Sequence, residues 1–222
     1  MELDELIIHA QQRAASFRIL SACYCIPVKE LFFAENLIGH LINYMDKICP
    51  EASAAALTMQ KSLNRYTESE LADDYKALFS DSLQIKAPPY GSVHLEDSRR
   101  PSANIAAEVR KMYTEAGLVL DEGTREAPDH IAIELEFMHY LLSKEVQALR
   151  DNDQEMLRFF HDRQRIFSDK FLGPWVSSFC NSIRRNTENA FYLALADCTE
   201  TYVFTFLDEL QPYSDHIDAL FT

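Results

Sequence analysis

The chain has 222 residues, of which 47% are hydrophobic and 25% charged, enough for one substantial core and too apolar for a disordered segment. A formal charge of −14 argues against a surface built to neutralise phosphates, so nucleic acid is not an expected partner, whereas cationic ligands would be attracted. Five glycines are too few for the many turns of an all-β fold or for a glycine-rich phosphate loop.

The first residues are acidic and alternate polar with apolar, so neither a secretory leader nor a stable membrane insertion is expected. Apolar residues then recur every three or four positions from Leu3 to Cys25, at Leu6, Ile7, Ala10, Ala14, Phe17, Leu20 and Tyr24, and Pro27 interrupts. A second helix is predicted over Lys29–Lys47, closed by Pro50, and a weaker one over Glu51–Arg65. Thr67, with Glu70 three residues on, has the form of a capping box, opening a helix whose apolar face is Leu71, Tyr75, Leu78 and Phe79.

Residues 81–102 break the pattern with Pro88, Pro89, Gly91 and Pro101, and read as a long ordered loop of the kind that carries function. A helix resumes near Ala103 and stops at Gly117, a suitable residue just past a helix end. Asp121–Pro128 is a polar hinge, followed by the most apolar helix, Asp129–Leu149. Two long stretches close the chain, Gln154–Arg185, interrupted at Gly173-Pro174, and Thr187–Glu209. The expected fold class is therefore all-α: a single compact bundle of about eight to ten helices. It divides into an N-terminal helical lobe (1–120), a hinge (121–128) and a C-terminal helical lobe (129–222). A short hinge can let two chains exchange their C-terminal helices, so monomer and homodimer both remain open.

Little in the sequence points to catalysis. The motifs of serine hydrolases, zinc proteases and phosphate loops are missing. Glu136-Phe-Met-His139 has the E-x-x-H spacing of di-iron bundles, but such a centre needs a second copy, so no metal and no cofactor are expected and His139 is assigned to hydrogen bonding. Cys23, Cys25, Cys49, Cys180 and Cys198 are scattered and odd in number, which fits reduced thiols, with Cys180 in the core. In Glu126–Leu142, Pro128 fixes the approach to the helix, Asp129 is placed to accept its first free N–H groups, and His130 lies one turn from Glu134, within reach of an ionic hydrogen bond.

That segment, Ala127-Pro-Asp-His-Ile-Ala-Ile-Glu-Leu-Glu-Phe-Met138, closely resembles the hinge motif of the TorD/DmsD family of redox-enzyme maturation chaperones. Five further elements are similar to family motifs and stand in the family's order: Asp74-Tyr-Lys-Ala-Leu-Phe79, Pro88-Pro-Tyr-Gly-Ser-Val93, Glu108–Leu118, Phe171–Cys180 and Phe191–Ala196. Two positions depart from the pattern: Gly91 stands where a polar residue is common, and Phe171 where histidine is.

The resemblance implies an all-helical, cytoplasmic, non-enzymatic chaperone. Its partners would be the twin-arginine signal peptide and the apo form of a molybdopterin-containing oxidoreductase, which it helps to load with cofactor while export is delayed. By the same resemblance the peptide would meet Tyr75, Phe79, Pro88, Pro89, Tyr90, Ser92, Pro128, Asp129, His130 and Glu134. By that resemblance Asp129 is a candidate partner for an arginine and His130 a group that switches charge near neutral pH; the competing reading keeps both as hinge braces, Asp129 capping the helix and His130 tied to Glu134. A helical scaffold or adaptor without peptide binding is the alternative reading.

Overall fold

The computed structural model describes residues 2–80, 85–96, 102–121, 123 and 126–220, with side chains as far as Leu210. Among these residues the chain forms eleven α-helices and two π-helical turns, with no strand. The all-α expectation holds, and the two helices that periodicity does not resolve are the shortest: six residues in α2 and five in α6.

Helix α1 (Leu3–Cys23) opens on a capping box of Glu2 and Glu5 and buries Leu6, Ala10, Ala14, Phe17 and Leu20. The predicted single helix over 29–47 is two, α2 (Lys29–Ala34) and α3 (Leu37–Ile48). Between them Asn36 takes a left-handed conformation with φ 44°, which asparagine tolerates better than branched residues do, and the chain turns there. Pro50 does not close that helix but begins the next, α4 (Pro50–Leu63), where its missing N–H costs nothing. Thr67 caps α5 (Glu68–Tyr75) through the expected box, its hydroxyl accepting the Glu70 N–H at 3.2 Å. A π turn, Lys76–Ser80, extends α5.

Part of the predicted 81–102 loop is helical, α6 (Gly91–Leu95); residues 81–84 and 97–101, including Arg99, Arg100 and Pro101, lie outside the described residues. Helix α7 (Ala103–Glu115) ends as expected. Gly117 has φ 83°, the N–H of Leu118 reaches the Tyr113 carbonyl at 2.9 Å, and that of Gly117 reaches Thr114 at 3.0 Å, the paired bonds of a Schellman motif. Of the expected hinge, residues 122, 124 and 125 lie outside the described residues. Then follow α8 (Ile131–Asp151), α9 (Gln154–Phe167), a π turn (Ser168–Leu172), α10 (Gly173–Asn186) and α11 (Ala190–Leu220).

Helix α8 is the central member, lying along α1 on one side and α9 on the other, while α11 packs on α4 and α10. The main hydrophobic cluster draws residues from both predicted lobes, from Phe17, Leu41 and Met59 to Leu135, Trp175 and Tyr202. The breadth of the α8 stripe follows from this position: Leu135, Phe137, Met138, Leu141 and Leu142 are all sealed. Among the described residues no helix is long and apolar enough to cross a membrane.

Candidate functional site

The loop after α5 and the chain leading into α8 are separate in sequence but interlocked in space. The N–H of Ile131 bonds to the Pro89 carbonyl at 2.8 Å and that of Gly91 to the Asp129 carbonyl at 2.8 Å, so Tyr90 and His130 face each other as an isolated antiparallel bridge. This satisfies backbone groups that a buried loop would otherwise leave unpaired.

Asp129 does not cap α8, as its position in the sequence suggests. Its carboxylate turns to the neighbouring segment and accepts the Ser92 N–H at 2.9 Å, in the first turn of α6, and its side chain is fully buried. The cap of α8 is His130, whose Nδ1 accepts the Ala132 N–H at 3.2 Å. Nδ1 is thereby the unprotonated nitrogen. Burial holds the His130 pKa below its ordinary value, with Glu126 and Asp129 opposing, which agrees with a neutral ring.

The expected bond between His130 and Glu134 is not formed, because Glu134 points inward and accepts the indole N–H of Trp175 at 3.1 Å. Glu134 is sealed, and desolvation raises its carboxyl well above the ordinary range, with the Trp175 hydrogen bond opposing, so burial favours its neutral form. Trp175 also stacks on His94, centroids 5.5 Å apart. His94 Nε2 must donate to the Pro88 carbonyl at 2.8 Å, which leaves Nδ1 to accept from the Ser178 hydroxyl at 3.0 Å. Behind the bridge the Tyr113 hydroxyl donates to the Pro128 carbonyl at 2.7 Å and Ser92 Oγ accepts the Ser102 N–H at 2.9 Å.

The ten expected residues therefore separate into three groups. Pro89, Ser92, Pro128, Asp129, His130 and Glu134 are brought together, but as a sealed brace. Tyr75 and Phe79 do not line an open cleft: they are core residues, 8% and 3% exposed, because their rings pack 5.3 Å apart among Tyr24, Phe179 and Tyr192. The half-buried Pro88 and Tyr90 stay at the rim, where the Tyr90 hydroxyl donates to the exposed carboxylate of Glu126 at 2.7 Å.

Several partners escaped sequence reasoning: Trp175, His94, Tyr113 and Glu126. Signals were available for Trp175, the one tryptophan of the chain, and for Tyr113, since both lie within family motifs, Phe171–Cys180 and Glu108–Leu118. His139 bonds across to the Ala14 carbonyl at 2.9 Å, the interhelical role assigned to it. Cys180 is a core thiol, raised by burial. Phe171 packs on Phe167, centroids 5.4 Å apart, with Lys170 over its ring, so an aromatic contact occupies the position. No cluster of metal ligands occurs among the described residues.

Two larger grooves open on the surface. One, of about 550 Å³, runs along α7 beside Pro128 and carries Arg110 and Lys111; the other, of about 600 Å³, lies between α1 and α8 and carries Arg18 and Arg150.

The elbow is thus a sealed brace within an all-helical bundle: burial disfavours the charged forms of His130 and Glu134, and one carboxylate oxygen of Asp129 has no hydrogen-bond partner among the described residues. The sequence profile of the family described as nitrate reductase delta subunit matches residues 45–181. The chain is 30% identical to the perchlorate reductase assembly chaperone protein of Dechloromonas aromatica, over 62% of each chain. It is 28% identical to the chaperone protein TorD of Vibrio parahaemolyticus, over 57% of this chain and 58% of that one. With TorD of Photobacterium profundum it shares 30% identity over 86% of this chain and 91% of the relative. The first two matches thus span less than two thirds of those relatives' length. The chain belongs to the nitrate reductase delta subunit family, the TorD-like group that its motifs resemble.

Proposed function

We propose that the chain is a cytoplasmic, non-enzymatic assembly chaperone that binds the twin-arginine signal peptide of an apo-oxidoreductase requiring molybdopterin. By holding that segment it delays export until cofactor is loaded. Names of relatives support the class, since those proteins are a perchlorate reductase assembly chaperone and TorD chaperones. The observation that carries the reading is the locking of two family motifs, 88–93 and 127–138, into one brace with a carboxylate, Glu126, left exposed at its rim. A rigid scaffold with an acidic edge suits a ligand whose arginines precede an apolar run, because the charges speed encounter and the apolar contact supplies affinity.

The test is calorimetric titration with a synthetic leader and with the same leader carrying both arginines as alanine. The native leader binds more tightly, and added salt narrows the difference. Equal binding at low salt would reject the electrostatic half of the mechanism.

A further inference from the structure

The segment joining α1 to α3 is the least ordinary part of the surface. Within eight residues it exposes Ile26 (67%), Val28 (42%), Leu31 (55%) and Phe33 (50%). Single exposed apolar residues need no explanation, but four from one short stretch do. The segment is not loosely held. Pro27 and Phe32 are buried anchors, Phe32 packing on Phe191 at 5.9 Å, and Lys29 donates from its backbone to Glu68 at 2.8 Å and from its side chain to the Tyr66 carbonyl at 2.8 Å. Its apolar side chains are therefore presented on a fixed frame.

Charge near this segment is acidic. Glu30 and Glu35 are exposed on it. At its first end stands Cys25, the one exposed cysteine of the five. The Ser21 hydroxyl donates to the Ala132 carbonyl at 2.7 Å, so the end of α1 that leads to Cys25 lies against the first turns of α8, which bear Glu136; burial raises the Cys25 thiol, and Glu136 and Glu126 raise it further. Glu126 and Glu136 are both exposed and have no ion pair among the described residues. The larger grooves carry arginine and lysine and would repel a basic peptide; the strip carries one cation, Lys29, whose ammonium lies 5.6 Å from the Phe33 ring centroid, against the carboxylates of Glu30 and Glu35 on it and of Glu126 and Glu136 at its Cys25 end.

We propose that Ile26–Phe33 is the docking strip for a client leader, with Glu126 and Glu136 holding the leader's basic residues at the Cys25 end and its apolar run lying toward Leu31 and Phe33. The inference rests on the reading of the chain as a leader-binding chaperone and supplies the surface and the direction of the bound peptide. It also moves recognition away from the sealed Tyr75, Phe79 and Asp129.

The experiment measures binding of a synthetic leader, two arginines followed by a leucine-rich run, by calorimetry at low and high salt. Leu31→Ser with Phe33→Ser weakens binding at least about tenfold at both salts, as expected for losing two buried apolar contacts. Glu126→Gln with Glu136→Gln weakens it at low salt and little at high salt. All four positions are exposed, and circular dichroism confirms the fold of each variant. Direction is read separately: a leader cysteine activated as its thiopyridyl disulfide exchanges with Cys25 faster when placed beside the arginines than at the apolar end.

A serine variant that binds like the wild type overturns the strip while leaving the chaperone reading intact, and a reversed exchange preference overturns the direction. A wild type that binds no leader at all removes the underlying reading instead. Sedimentation in which the wild type self-associates and the serine variant does not, with leader binding unchanged, overturns the proposal in favour of a contact between two copies.

Discussion

Gly91 is the position where one side chain's absence is easiest to explain. A Cβ built there would lie 2.9 Å from Trp175 Nε1 and 3.3 Å from Glu134 Oε1, so the family's more usual polar residue has no room unless the indole moves. Gly91→Ala should cost about 1–3 kcal/mol, read as a lower urea midpoint, with a change in emission from the single tryptophan. Glu134 offers a pH test. Its folded pKa is raised above the ordinary 4.5, so above that pH the fold retains a proton that the unfolded chain has released. Stability from this group is therefore full below 4.5 and is lost as pH rises toward the folded value, by at most about 1.4 kcal/mol per pH unit. Glu134→Gln keeps an acceptor for the indole and carries no proton to lose. The glutamine variant should gain on the wild type as pH rises above 4.5 in denaturant titrations; parallel curves would show that Glu134 ionises freely in the fold.

At the scale of elements, periodicity located most helices because one face of each meets the core. It missed the break between α2 and α3, since Leu31, Phe32, Leu37 and Ile38 continue an apolar pattern through Asn36. Only the backbone at Asn36, with φ 44°, separates them. Asn36→Gly should retain stability, while Asn36→Val should lose about 1–2 kcal/mol, because a branched residue resists the left-handed region. A single helix over 29–47 would instead make valine harmless. The cap of α8 was misplaced by one residue for a related reason. Asp129 is the better capping residue in isolation, but Ser92, 37 positions away, takes its carboxylate, and His130 substitutes. Local rules rank partners along the chain and do not see a competitor brought in by folding.

For the whole molecule, the expected division into lobes at 121–128 meets a core that crosses it. Helix α1 lies on α8, and one cluster includes Phe17, Leu135 and Trp175. Unfolding should accordingly be a single transition, with tryptophan emission and helical circular dichroism superimposing in urea. Two separated transitions would show that the two lobes unfold independently. The buried groups also favour neutral pH on the acid side: burial lowers His9 to about 4 and shifts His94 and His130 the same way. The unfolded chain takes up protons near pH 6.5 that these rings refuse, so they withdraw stability as pH falls below that value.

The sequence by itself determined the helical class, most helix limits, the ordering of the family motifs and the net acidity, because periodicity, capping and charge are properties of the chain read locally. Tertiary structure decided which of the motif residues are exposed. Pro88–Val93 and Pro128–Glu134 look like a lined groove when written out, yet one oxygen of Asp129 turns to Ser92 and Glu134 turns to Trp175, leaving Tyr90 and Glu126 at the rim and the apolar residues of 26–33 outside. Burial depends on what lies opposite, and the opposite residue is fixed only when distant helices meet.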